Sequence, residues 1–324
     1  MRGTCLMAWL QLLAVAAGSC RPQVRQGSPP DSPELARILF DSNRDGKWEV
    51  YAMNPDGSAQ LQLTDTPGDK KGSWSPRWSP DRQQIAFLAD RDGESEVYIM
   101  KADGSGIRRL TYVSSDAGGA GGAPDWSPDG SSILFDAPAD GNVEIFVIGT
   151  GVGRPHRLTH TSGRGKTNVN PKWSRDGELI VYTSDRDRSG SMDTDESDIY
   201  VMRANGSSNR RLTHTDGHGR GSWTPVWSPD GAKIAFAANR TEPREAFDIY
   251  AMDADGSNIR RLTSDEADAA RPYWSPDGRE IVFMSTRDGK TNGWRGMEIY
   301  VMKADGSNVR RLTTNQYLDG HPAW

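Results

Sequence analysis

The sequence predicts an all-β protein, a six-bladed β-propeller of four-stranded antiparallel blades. Three observations predict it. One motif, P-x-W-S-P-D-G-x-x-I-x-F followed by I-Y-x-M-x-x-D-G-S and R-L-T, returns with a period of about 48 residues, the signature of stacked supersecondary units. Turn residues stand at the same places in most copies. The third strand of the unit is apolar on both alternating faces, as in Ile299 and Val301 against Tyr300 and Met302, so it needs cover on both sides. Trp78, Trp126, Trp173, Trp227, Trp274 and Trp324 mark the copies, at spacings of 48, 47, 54, 47 and 50 residues.

Each unit holds four short strands in order. P-x-W-S is the first. The second is I-x-F, seen as Ile85/Phe87, Ile133/Phe135, Ile180/Tyr182, Ile234/Phe236 and Ile281/Phe283. The third is I-Y-x-M, seen as Val50–Met53, Val97–Met100, Ile199–Met202, Ile249–Met252 and Ile299–Met302. The fourth is the short R-L-T end at Leu110, Leu158, Leu212, Leu262 and Leu312. Ser-Pro-Asp-Gly sets a turn between the first two, with Pro fixing φ near −65° and Gly free to take φ > 0, and Asp-Gly-Ser closes another after the third. No stretch beyond residue 35 carries a 3.6-residue period. One such meander cannot bury both faces, and a linear array would leave its end units bare. A ring of units covers every flank.

Six Leu-Thr ends occur, the first being Leu63-Thr64. The first unit lacks its P-x-W-S strand and starts at Ile38-Leu39-Phe40, while the chain ends on an orphan His321-Pro322-Ala323-Trp324. The two fragments complement each other. The expectation is a six-bladed ring over residues 36–324, closed by the C-terminal strand joining the N-terminal blade.

The repeat resembles that of the TolB β-propeller family, the periplasmic component of the Tol–Pal envelope system, over nearly the whole of that span. The resemblance implies the propeller fold and, more loosely, a protein-binding role in the envelope. Similar repeats occur in the propellers of prolyl-oligopeptidase-like and tricorn-like peptidases and of an oligogalacturonate lyase family. Fold alone does not select among these functions. The α/β domain that precedes the propeller in TolB has no counterpart in the residues before the first blade.

Residues 1–20 read as an export signal: Arg2 is the charged start and Leu6 to Ala17 an apolar core too short for a permanent span. Ala17-Gly18-Ser19-Cys20 resembles a bacterial lipoprotein cleavage site with Cys20 as the lipid-bearing residue; ordinary cleavage near Ala14-Val15-Ala16 is the other reading. Cys5 leaves with the signal in either case, so the mature chain has no intramolecular disulfide. Residues 21–35, rich in Pro, Ser and Gln, read as a flexible linker. The expected location is the periplasm or cell surface, with membrane attachment through lipid only. A mean hydropathy of −0.71 suits a soluble monomeric domain. A net charge of −5 with interspersed signs argues against a nucleic-acid footprint. The Arg-Arg pairs before Leu-Thr, such as Arg108-Arg109 and Arg310-Arg311, fit a solvated edge strand.

No G-x-S-x-G elbow, P-loop, H-E-x-x-H or C-x-x-C is present. Gly149-Thr150-Gly151-Val152-Gly153 connects strand to strand and reads as a turn. His214 and His218 stand four apart around Asp216, in an inter-blade loop where helical metal spacing has no meaning. One acidic run fits the twelve-residue calcium loop: Asp185, Asp187, Ser189, Ser191 (through its carbonyl), Asp193 and Glu196 supply oxygens and Gly190 sits at the sixth place. Half of that match is free, because Asn43-Arg44-Asp45 and Asp90-Arg91-Asp92 show that Asp185-Arg186-Asp187 belongs to the repeat. Calcium is thus a possible cofactor, and a solvated acidic hairpin the competing reading.

Propellers present ligands at the mouths of the central channel. The loops from each Leu-Thr to the next P-x-W carry Trp74, Tyr112, Trp223 and Tyr317. The residues before each Pro are Ser75, Ala123, Asn170, Thr224, Arg271 and His321, which ring symmetry gathers at one mouth. Trp74, Asn170, Trp223, Arg271 and His321 are the expected partner-binding residues of a non-catalytic scaffold. The alternative is a propeller enzyme acting on polysaccharide, a lyase or hydrolase, which would need three or more His and carboxylates such as His160, His214, His218 and His321 to converge.

Overall fold

The computed structural model describes residues 37–68, 71–113, 119–151, 153–187, 196–215, 221–240, 246–264, 267–288 and 296–324. The first blade holds β1 (Ile38–Ser42), β2 (Glu49–Met53) and β3 (Leu61–Gln62). The second is β4 (Ser73–Trp78), β5 (Gln84–Ala89), β6 (Glu96–Lys101) and β7 (Arg108–Arg109). The third is β8 (Asp125–Trp126), β9 (Ser132–Ala139), β10 (Asn142–Gly149) and β11 (His156–Arg157). The fourth is β12 (Asn168–Trp173), β13 (Leu179–Ser184), β14 (Asp198–Arg203) and β15 (Arg210–Arg211), and the fifth β16 (Ser222–Trp227), β17 (Lys233–Ala238), β18 (Asp248–Asp253) and β19 (Arg260–Arg261). The sixth is β20 (Ala269–Trp274), β21 (Glu280–Ser285), β22 (Glu298–Lys303) and β23 (Arg310–Arg311), and β24 (Asp319–Ala323) follows. Every sheet is four-stranded and antiparallel, and the first is ordered β24-β1-β2-β3. Leu39 pairs with Ala323 and Ser42 with Asp319, so the C-terminal strand closes the ring as expected.

Within a blade the I-x-F and I-Y-x-M residues stand directly opposite each other. Phe40 pairs Tyr51, Phe87 pairs Tyr98 and Phe283 pairs Tyr300. Their rings stack at 5.5, 5.8 and 5.9 Å. Such cross-strand aromatic pairs add to the area they bury. The R-L-T threonine has a defined task. Thr111 Oγ1 accepts the Val97 amide at 2.9 Å and donates to buried Glu96 at 2.5 Å, and Arg109 reaches the same carboxylate at 2.6 Å. Thr313, Arg311 and Glu298 repeat the arrangement, and Asp248 takes the acid's place in the fifth blade.

Blades are joined by two devices. The Asp-Gly-Ser glycine packs on the carbonyl of the preceding blade's Leu-Thr leucine. A Cβ on Gly206 would stand 2.4 Å from Leu158 O, and one on Gly57 would stand 2.4 Å from Leu312 O, across the closure. The first arginine of each pair does more than solvate an edge. Arg210 donates to Asp255 O, Arg260 to Asp305 O and Arg310 to Pro55 O, each on the next blade.

Candidate functional site

The innermost strands build the channel wall, and their sequence forces a defect into it. Pro lacks the amide that a ladder bond needs, so an X-Pro pair in an inner strand interrupts the pairing there. Register shifts fall there in β4, β12, β16 and β20. The pre-proline residues take up the defect in the left-handed region: Ser75 at φ 55°, Asn170 at 55°, Thr224 at 51°, Arg271 at 53° and His321 at 45°. Ala123 is the exception; its strand is only Asp125–Trp126, and Gly121-Gly122 precede it. Five non-glycine residues held in this region are a stored strain that the surrounding packing must hold in place.

The holding groups come from the second strand of the preceding blade. Buried Asp41 accepts the Ser75 amide at 2.7 Å, and Asp136 accepts the amides of Asn170 at 3.1 Å and Gly122 at 2.7 Å. Thr183 does the same for Thr224 at 3.1 Å. Asp41 Oδ2 also lies 2.8 Å from His321 Nδ1. Burial, then the Arg271 guanidinium, hold the His321 imidazole below its ordinary range against the pull of Asp41. Burial pushes Asp136 up to about 6 although both amides favour its ionised form. Burial likewise lowers Arg271 to about 10, with Asp41 opposing.

A second ring, which sequence reasoning passed over, is the unnamed x of P-x-W: Arg77, Asp125, Lys172, Val226, Tyr273 and Ala323. Lys172 Nζ stands 3.3 Å from Asp125 Oδ1, Trp173 donates its amide to Asp125 Oδ2 at 2.8 Å, and the Arg77 guanidinium lies over the Tyr273 ring at 5.2 Å. Burial lowers Lys172 to about 8. Beyond this ring the channel opens into a cavity of about 560 Å³ whose wall includes all six anchor tryptophans. This mouth lies on the S-P-D-G side, opposite the inter-blade connections. A repeat does show which places it leaves free, and x was such a place.

Among the expected partner-binding residues, Asn170, Arg271 and His321 stand together in the channel wall, half-buried. Trp74 and Trp223 enter the wall one residue earlier and are packed. Trp74 lies against the cluster of Leu88, Val97 and Phe135 between the second and third blades, and Trp223 meets Phe247 edge to face at 5.0 Å. Tyr112 and Tyr317, on the same connections, are exposed. Of the calcium-loop residues, Asp185 accepts the Thr167 amide at 2.7 Å and Asp187 accepts the Tyr200 hydroxyl at 2.7 Å. Asp45 and Asp92 meet Tyr51 and Tyr98 in the same way. Ser189, Ser191 and Asp193 lie outside the described residues, as do His218 and Cys20. Among the described residues no three His, Cys, Asp or Glu side chains converge as a metal site.

A model of the TolB beta propeller domain matches residues 19–118, 112–220 and 218–324. TolB from Acinetobacter baumannii superposes with a TM-score of 0.70 at 24% identity, over 89% of this chain and 66% of that one. A putative TolB from Agrobacterium tumefaciens gives 0.66 at 24% identity, over 86% and 88%. An oligogalacturonate lyase in complex with manganese gives 0.57 at 15% identity, over 85% and 73%. Two curated proteins are 35% and 37% identical over 69 and 82 residues, which is 9% and 24% of their own length, so the chain spans a small part of them. The structural likenesses show the same fold, and the repeat model covers nearly every residue of it: the chain belongs to the TolB β-propeller family.

Proposed function

We propose that the chain is a non-catalytic scaffold of the bacterial cell envelope that docks a protein partner at the mouth built by its inter-blade connections. One observation carries this reading. At the pre-proline positions the strained backbone repeats while the side chain varies: Ser75 and Thr224 carry hydroxyls, Asn170 an amide, Arg271 a guanidinium and His321 an imidazole on one shared conformation. A repeated backbone, clasped by the preceding blade at Ser75, Asn170 and Thr224, with varied side chains is a rigid presentation surface, and rigid sites bind at low ordering cost. Arg271, Asn170 and His321 are its polar groups, Trp74 and Trp223 its partly exposed aromatics, and Tyr112 and Tyr317 its outer rim. Export, a monomeric state and a lipid anchor on Cys20 belong to the same proposal, supported by the apolar run from Leu6 and the Ala17-Gly18-Ser19-Cys20 sequence.

Cross-linking on intact cells tests it. Wild-type protein should capture one discrete partner, and Arg271→Ala and Trp223→Ala should lose it while folding normally. No discrete capture by wild type, or equal capture by both variants, contradicts the reading. Cys20→Ser should leave unlipidated precursor; normal processing of that variant removes the anchor.

The alternative, a channel enzyme acting on polysaccharide, is favoured by the Asp41–His321 pair, since a carboxylate that orients an imidazole is a general-base arrangement. Its test is depolymerisation of an acidic polysaccharide that His321→Gln abolishes. No cleavage by the wild-type protein rules it out.

A further inference from the structure

Four departures from the repeat gather cations around the tryptophan-walled mouth. Between Pro and Trp the second blade has Arg77 and the fourth Lys172, where the fifth has Val226 and the first Ala323. The glycine of S-P-D-G, kept as Gly130, Gly177, Gly231 and Gly278, is Arg82 in the second blade. The proline of that turn is Arg175 in the fourth. Arg82, Lys172 and Arg175 all line the cavity, and Arg77 stands over Tyr273, which lines it too.

Arg82 is the most telling of these. It holds φ at 57°, in the region where the other blades use glycine. A side chain with a Cβ is strained there, and the strain is retained in the blade whose guanidinium reaches the mouth. Asp125 is the one carboxylate side chain lining the cavity among the described residues, and its oxygens are taken up by the Trp173 amide and Lys172. The lining side chains are therefore in positive excess, Arg82, Lys172 and Arg175 against Asp125, within a chain of net charge −5. Burial leaves the Lys172 ammonium poorly solvated, with its affinity for a proton lowered to about 8, and an incoming anion supplies counter-charge that Asp125 alone does not. Beside these cations stand indole faces, which give a ligand's carbon skeleton apolar cover. A cavity of this size falls in the usual range for small-ligand sites.

We propose that this mouth binds a carboxylate-bearing ligand, its acid groups drawn to Lys172 on one wall and to Arg82 on another, and its body against the tryptophans. The site lies opposite the partner-docking mouth and is independent of it.

Intrinsic tryptophan fluorescence of the whole protein, at fixed ionic strength, reads the site directly. The probes are citrate, a short peptide with a free C-terminal carboxylate, the same peptide amidated, and sulfate. The proposal expects a saturable change with citrate or with the free-acid peptide, and none of comparable affinity with the amide or sulfate. Citrate alone identifies a small organic acid as the ligand; the free-acid peptide alone identifies a chain terminus. Lys172→Met and, separately, Arg82→Gly should each weaken binding roughly tenfold, equal to about 1.4 kcal/mol. Arg82→Gly restores the residue of the other blades and so folds without strain. No saturable response to either acid, a sulfate response as strong, or unchanged affinity in Arg82→Gly overturns the proposal.

Discussion

Asp136 shows what a single residue gives and takes in this molecule. It clasps Asn170 and Gly122, yet its burial holds its pKa at about 6 against an ordinary 3.8. Between those two values the native state binds more protons than the unfolded chain, so stability falls as pH rises. Above about 6 the charge is fully present and the contribution amounts to a loss on the order of 3 kcal/mol. Urea midpoints measured from pH 4 to 6.5 should decline more steeply for wild type than for Asp136→Asn. Parallel profiles would show that Asp136 titrates normally. The sequence showed little of this. Asp41 and Asp136 follow the phenylalanine of I-x-F where other blades have Leu88, Ala237 or Met284, and nothing local says that they face a neighbouring blade's amide. The pre-proline set was legible because ring symmetry alone places it. The P-x-W variable residues were equally legible in principle, since alternation from Trp puts them on the channel side.

At the scale of the element, nearly every strand follows from the repeat, because turn chemistry and cross-strand aromatic pairing act locally and recur. The innermost strand of the third blade is the exception. Its Gly119-Ala120-Gly121-Gly122 approach leaves only Asp125–Trp126 paired, and a Cβ on Gly122 would stand 2.1 Å from Asp136. The two turn types carry different predictions. Gly206 and Gly231 both have positive φ, at 83° and 70°, but a Cβ meets Leu158 O at 2.4 Å in the first and nothing within 4 Å in the second. Gly231→Ala should therefore cost only backbone strain, roughly 1 kcal/mol. Gly206→Ala should cost clearly more, because the neighbouring blade must move. Equal urea midpoints for the two variants would mean that the blade-to-blade contact is loose. Glu96 makes a parallel case: it is buried against Thr111, Arg109 and the Val113 amide. Glu96→Ala should destabilise by roughly 3 kcal/mol or more, while Glu96→Asp should be far milder, since Asp198 and Asp248 serve the same role in their blades.

For the whole molecule, closure is what makes a site possible. The channel, its two rings of non-repeating side chains and both mouths exist only when six blades meet. The contacts that cross the junction between the sixth blade and the first include β24 on β1, Arg310 on Pro55 O, and Gly57 on Leu312 O. The orphan P-x-W at the end of the sequence announced the first of these; the other two depend on how blades stack and left no mark of their own. Deleting residues 321–324 tests closure most directly. It removes His321 from Asp41 and buried Trp324 from the core shared with Ile38, Phe40 and Ile281. Loss of one large buried aromatic alone costs roughly 3–5 kcal/mol, a large share of a typical stability of roughly 5–15 kcal/mol. The truncated protein should melt far below the full chain or aggregate on heating. An unchanged melting temperature would contradict the closed ring and, with it, the channel site.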